Sequence, residues 1–143
     1  MVLVIRAEQF EALQFESDLR WYANQLAGLY PSFAEASHTQ RLQSVKDGIR
    51  RASAFGLQRP DFLQYLCFEQ TFSHHWMEDA TFQWARRILG EPGRSSGERV
   101  KKLRQQSIRY LVEIEARELE QREQEQRELE EQREQERDDQ GVV

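Results

Sequence analysis

The strongest constraint on the fold is a change in composition near residue 113. Residues 113–140 contain 13 Asp or Glu and five Arg, a net charge of −8, whereas the rest of the chain carries a net charge of +3. A segment so rich in charge cannot supply a hydrophobic core. We therefore predict one helical domain over residues 1–115 and a Glu/Gln/Arg-rich extension over residues 116–143.

The sequence contains neither a long apolar segment nor a pair of cysteines. The opening run MVLVI ends at Arg6 and is too short for the core of a signal peptide. No run approaches the roughly 18 apolar residues of a membrane span. Cys67 is the single cysteine, which permits neither an internal disulfide nor a cysteine-based zinc site. We expect a cytoplasmic protein that does not enter a membrane.

Apolar residues recur at intervals of three and four along the domain, which is typical of helices with one buried face. The predicted helices run from Arg6 to Leu29, from a cap at Ser37 or Thr39 to Gly56, from Pro60 to about Phe72, from Asp79 to Leu89, and onward from a capping box formed by Ser95 and Glu98. Gly56 is predicted to end the second helix with a positive φ. The sequence predicts an all-α fold, a single bundle of about five helices with MVLVI as a short N-terminal apolar arm.

The fifth helix is predicted to continue into the charged extension. Its apolar stripe reaches Ile114, so we expect the core to end near residue 115. Beyond this point the sequence RELE recurs with a period of ten, which does not fit the seven-residue repeat of a sustained coiled coil. Glu-to-Arg pairs four residues apart, such as Glu118 and Arg122, favour a solvated single helix instead. This helix is expected to fray to disorder toward its end.

The histidines are the natural place to look for a metal or catalytic site. His74 with Glu78 and His75 with Asp79 have the spacing of two ligands on one helix face, but too few ligands accompany them. We interpret FSHHWMED, residues 72–79, as a loop with Trp76 in the core. No phosphate-binding glycine loop or nucleophile motif is present in the sequence. We therefore predict a protein that is not an enzyme and that has no metal and no cofactor.

A basic stretch lies between residues 86 and 109, where eight Arg or Lys are opposed only by Glu91 and Glu98. Such a stretch could bind the phosphates of a nucleic acid. The charged extension would compete for the same surface and repel phosphate. A protein partner, or the acidic extension itself, is therefore the better candidate to neutralise the basic stretch. Nucleic-acid binding stays a weaker alternative.

Several short motifs in the domain resemble a family of small bacterial proteins found beside type VI secretion genes. The resemblance covers about residues 1–112 and rests on the runs VKDGIRRASAFGL, DFLQYL and QWARRIL. The positions that match the family pattern are Gly48, Ile49, Arg51, Ala52, Phe55, Gly56, Asp61, Tyr65, Trp84, Ala85, Ile88 and Leu89. Two features depart from the pattern, namely WMED at residues 76–79 and the long charged extension.

The resemblance implies an accessory or co-adaptor role. Such proteins help an adaptor-chaperone load a toxic effector onto the VgrG or PAAR spike tip. The family supplies no catalytic residues to carry over. The departure at residues 76–79 falls in a loop between helices, so the partner of this chain can differ from those of the family.

We predict that the protein binds another protein through the apolar arm and exposed aromatic side chains. The candidate partner-binding residues are Val2, Val4, Ile5, Trp21, Phe68 and Trp76. The main alternative is a cytosolic immunity protein that neutralises a cognate toxin. The two roles differ in whether removal of the gene kills the producing cell or only disarms it.

Overall fold

Six α-helices make up the described part of the chain. The structure is a computed structural model and describes residues 7–141, without the side chains of residues 7, 8, 10 and 11. The helices are α1 (Ala7–Leu29), α2 (Pro31–Glu35), α3 (His38–Ala54), α4 (Phe62–Phe72), α5 (Gln83–Leu89) and α6 (Ser96–Gly141). Three short 3₁₀ turns occupy Arg59–Asp61, Trp76–Glu78 and Ala80–Phe82. The predicted all-α fold is confirmed.

Five of these helices correspond to the five that the sequence predicts, and α2 is an addition. Pro31 does end α1, but it also occupies the first turn of a new helix, where its missing N–H costs no hydrogen bond. Phe33 on this short helix is buried against α1. A five-residue helix carries too little periodicity to be found from the sequence alone.

Local signals set both ends of α3. The Ser37 hydroxyl accepts a hydrogen bond from the Gln40 backbone N–H at 3.2 Å, and the Gln40 side chain accepts one from the Ser37 N–H at 3.1 Å. These two bonds form a capping box. At the other end Gly56 has a φ of 75°, which confirms the predicted left-handed step.

The core of the helical part consists of two clusters of buried side chains. One cluster joins α1, α2, α3 and α4 through Leu19, Tyr22, Ala23, Leu26, Phe33, Val45 and Leu66. The other joins the end of α3 to α4, α5 and the start of α6 through Ala52, Leu57, Tyr65, Phe68, Trp76, Ala85, Ile88, Leu89, Val100 and Leu103. Helices α3 and α4 therefore belong to both clusters.

Helices α3 and α4 cross where Gly48 lies against Leu66. A Cβ atom at position 48 would collide with Leu66 Cδ2 and would lie 3.0 Å from Glu69 Oε1, so the absence of a side chain permits this close approach. One turn further along α3, Arg51 donates two hydrogen bonds to Glu69, at 2.7 Å and 3.1 Å. Glu69 is almost fully buried, and this bidentate pair satisfies its charge.

Arg99, in the first turn of α6, binds the ends of two other helices. Its guanidinium donates to the carbonyl oxygens of Phe55, Gly56 and Leu89. Carbonyls at the end of a helix lack partners within that helix and carry partial negative charge. Arg99 therefore satisfies orphan acceptors after α3 and at the end of α5 with one side chain.

The chain divides into two compact units, the first ending at Arg104 and the second beginning at Gln105. In α6, Val100 and Leu103 are buried, whereas Ile108 and Leu111 are exposed. The expectation that the core follows the α6 stripe to about residue 115 therefore needs correction, because burial along this stripe stops near the end of the first unit. The second unit is the helical segment of α6 from Gln105 to Gly141. Within it, Glu118 and Arg122 approach to 3.8 Å, at the spacing noted in the sequence.

Two glycines allow a matched test of the left-handed step after α3. We expect Gly56→Ala to destabilise the protein by about 1–2 kcal/mol, because an L side chain resists this φ. Gly28→Ala in α1 should instead be neutral or stabilising by up to about 1 kcal/mol, because its Cβ would enter open space. Urea unfolding of both variants measures the two signs. Equal changes in the free energy of unfolding at both positions would contradict a left-handed backbone conformation at Gly56.

The close approach at Gly48 can be tested by overpacking. We expect Gly48→Ala to cost about 1–3 kcal/mol, because its methyl group would collide with Leu66. The double variant Gly48→Ala/Leu66→Ala should lose less stability than the sum of the losses of the two single variants, because the atom that collides with the new methyl group is gone. Additivity within about 0.5 kcal/mol in urea unfolding would show that the two positions do not compete for space.

The domain boundary at residues 115 and 116 stays a prediction and can be tested by truncation. A chain ending after Glu115 should keep its cooperative thermal transition, with a Tm within a few degrees of the full chain, because the exposed residues beyond it add no buried core. Differential scanning calorimetry measures both quantities. Loss of the cooperative transition would place essential contacts within the extension.

Candidate protein-binding groove

Of the six candidate partner-binding residues, three lie outside the described residues, one is exposed and two are buried. Val2, Val4 and Ile5 lie outside the described residues. Trp21 is on the surface of α1 and is 52% exposed. Phe68 and Trp76 are buried, with exposures of 5% and 1%, so their use as contact residues needs correction.

Trp76 is buried because aromatic rings surround it. Its indole stacks on Phe55 at a centroid distance of 5.8 Å and meets the edge of Phe68 at 5.3 Å. Residues 76–78 form a short 3₁₀ turn rather than a helix. This arrangement confirms the interpretation of FSHHWMED as a connection between helices with Trp76 in the core.

An apolar groove lies between α1, α3 and the start of α4, entirely within the first unit. Its volume is about 300 Å³. The residues that line it are Gln14, Phe15, Asp18, Tyr22, Ile49, Arg59 and Phe62. Phe15 is 43% exposed, whereas Tyr22 is buried. The groove thus offers an accessible aromatic wall over an apolar base.

An ion pair and a hydrogen bond fix the polar rim of this groove. Arg59 forms an ion pair with Asp18 of α1. The Tyr22 hydroxyl donates to the backbone carbonyl of Arg59 at 3.3 Å. Burial raises the pKa of the Tyr22 phenol, the Asp18 carboxylate adds to this rise, and Arg59 opposes it. Tyr22 therefore stays neutral and holds the turn before α4 against α1.

Trp21 extends the aromatic surface beside the groove. It lies three residues after Asp18, so both project from one side of α1. Its ring meets the edge of Tyr22 at a centroid distance of 5.1 Å, with the planes at 76°. Together, Trp21 and Phe15 provide exposed aromatic area of the kind that is enriched in protein interfaces, and the charged pair beside them is typical of an interface rim.

Four of the eight cations in the basic stretch, all of them in the first unit, make contacts within that unit. Arg94 and Lys102 pair with Glu91 at 3.1 Å and 3.0 Å. Arg86 donates to the backbone carbonyl of Met77 at 2.7 Å, and Arg99 binds the helix ends described above. The charge of this stretch is therefore partly used in holding the fold.

His74 and His75 form a pair of tilted rings in the connection after α4. The rings of His74 and His75 are 3.9 Å apart, and His75 lies 3.9 Å from a carboxylate oxygen of Glu78. Among the side chains that the structure describes, no three His, Cys, Asp or Glu group closely enough to hold a metal ion.

The sequence did not indicate the groove itself. Phe15 and Tyr22 are recognisable as positions on one helix face, but Ile49, Arg59 and Phe62 come from other elements. Helical periodicity shows which side of each helix is apolar and not which helices become neighbours. Only the position of Pro60 after Arg59 marks the turn that brings the guanidinium to α1.

Comparison of the chain with models of protein families, with curated proteins and with solved structures gives no match. Among the described residues, no helix is both long enough and apolar enough to cross a membrane.

Proposed function

We propose that this protein is a non-enzymatic accessory protein of the cytoplasm that binds a protein partner through the groove between α1, α3 and α4. The observation that carries the proposal is the exposed aromatic area of Phe15 and Trp21 beside a groove of about 300 Å³. Buried aromatic and apolar contacts supply most of the binding energy in protein interfaces.

The chemistry of the groove indicates what it can hold. An aliphatic or aromatic side chain from the partner fits its apolar base of Ile49 and Phe62. Asp18 and Arg59 at the rim can exchange part of their ion pair for hydrogen bonds to the partner backbone. The groove is therefore suited to one anchoring side chain of an extended or helical segment.

We propose the partner class on the basis of the sequence resemblance to proteins encoded beside type VI secretion genes. On this proposal the partner is a secretion effector or its adaptor-chaperone, and binding holds it ready for loading onto the spike. The apolar arm at residues 1–5 is proposed to add contacts to the same partner.

The groove can be tested with substitutions matched on one helix. We expect Phe15→Ala and Trp21→Ala to abolish recovery of the effector or adaptor when the full chain is affinity-purified from its native cytosol. Leu13→Ala is the control, because Leu13 is 57% exposed on α1 yet lies about 200° around the helix from Phe15. Mass spectrometry identifies the recovered proteins, and circular dichroism verifies that each variant is folded.

Equal recovery by all three variants would exclude the groove as the interface. If the Phe15 and Trp21 variants fail to recover the partner and removal of the gene kills the producing cell, the immunity role would be supported instead. Survival of that cell with loss of effector delivery is the expected result for an accessory protein.

A further inference from the structure

A cavity of about 380 Å³ lies between α1 and the start of α3, within the first unit. Each of the two helices contributes three residues at the spacing i, i+3 and i+4, which places the three on one helix face. The lining residues are Arg20, Ala23, Asn24, His38, Arg41 and Leu42. We call this site the arginine cavity. Its lining includes two guanidinium groups and no carboxylate, so the site favours an anion.

The two guanidinium groups of the cavity are not used by the fold. Among the described residues, neither Arg20 nor Arg41 forms an ion pair with a carboxylate. Arg41 Nε is buried and has no hydrogen-bond partner in the described part of the chain. A buried N–H group without an acceptor is rare in folded proteins and costs stability. A ligand that brings an acceptor into the cavity would satisfy this group.

The start of α3 adds to the positive potential of the cavity. His38 is the first residue of α3, and the N–H groups in the first turn of a helix carry partial positive charge. The side chains of His38 and Asn24 are exposed and can both donate hydrogen bonds. Ala23 is buried and Leu42 is half-buried. The cavity therefore combines hydrogen-bond donors with a small apolar base.

We propose that the arginine cavity binds the phosphate group of a small phosphate monoester. Elsewhere in this protein, Arg51 alone satisfies the carboxylate of Glu69 with two hydrogen bonds. Two guanidinium groups and an imidazole exceed what one carboxylate requires. A phosphate monoester offers three oxygens and a charge near −2, and the planar guanidinium matches its geometry.

The size of the cavity indicates that the phosphate group carries an organic part. A volume of about 380 Å³ lies in the range of sites for small molecules, and a phosphate group fills only a fraction of it. Ala23 and Leu42 offer apolar contacts to the remainder. The ligand class is therefore a compact phosphorylated molecule.

The cavity and the groove lie on different sides of α1. Arg20 is about 160° around the helix from Asp18, which lines the groove. Phosphate binding is therefore independent of the proposed protein partner. Phe15→Ala should leave phosphate binding unchanged, which keeps the two activities separately testable.

Isothermal titration calorimetry of the full chain at constant ionic strength measures the binding. The probes are glycerol 3-phosphate, inorganic phosphate and, as a carboxylate, acetate. We expect both phosphates to bind at least about tenfold more tightly than acetate, because they can engage both guanidinium groups. Arg20→Gln and Arg41→Gln should each weaken the binding of glycerol 3-phosphate about tenfold or more.

Arg50→Gln is the matched control on α3. Arg50 lies about 180° around the helix from Arg41, and its side chain is 71% exposed. This substitution removes the same charge outside the cavity, so the affinity should stay within about twofold of that of the unchanged chain. Circular dichroism verifies the fold of each variant. If Arg41→Gln does not fold, Arg20→Gln still decides, because Arg20 is exposed.

Four results would overturn this assignment of the cavity. They are the absence of phosphate binding up to about 10 mM, equal affinity for acetate, an equal loss of affinity in Arg50→Gln, and unchanged affinity in Arg20→Gln and Arg41→Gln. A separate arm uses phosphatidylcholine vesicles that contain phosphatidic acid. Binding to these vesicles without binding of glycerol 3-phosphate would also overturn it, because the ligand would then be a lipid surface.

Discussion

The crossing of α3 and α4 is the contact on which the first unit depends. Gly48 lets the two helices approach, and the bidentate pair between Arg51 and Glu69 holds them one turn further along. Burial raises the pKa of Glu69, and Arg51 offsets this rise only in part. Removal of Arg51 would therefore leave an unpaired buried carboxylate, which destabilises a fold strongly. Because both core clusters include α3 and α4, a change at this crossing affects each of them.

Features of the fold that depend on a few neighbouring residues could be predicted from the sequence. Ser37 caps α3 through an atom three residues away, and Gly56 adopts the positive φ expected of a glycine that ends a helix. The extent of burial along α6 could not be predicted in this way. Ile108 continues the apolar spacing of Leu103, yet Leu103 is buried and Ile108 is exposed. Apolar spacing does not show how far along a helix other elements cover it.

The candidate site was predictable only in part, for a related reason. Trp21 and Trp76 are both aromatic residues in apolar sequence, and their exposure differs because of what packs around them. Trp76 is enclosed by rings from residues 55 and 68, whereas no element of the first unit covers Trp21 to the same degree. The groove joins residues up to 48 positions apart, from Gln14 to Phe62, which no local pattern records.

The different surroundings of the three indoles make the protein its own optical probe. Trp76 is enclosed and Trp84 is half-buried, while Trp21 stands in contact with solvent beside the groove. A water-soluble quencher reaches an exposed indole far more readily than an enclosed one. The quenchable part of the fluorescence therefore reports on Trp21, and the protected part on the aromatic core. Occupation of the groove and unfolding of the core would then change separate components of a single emission spectrum.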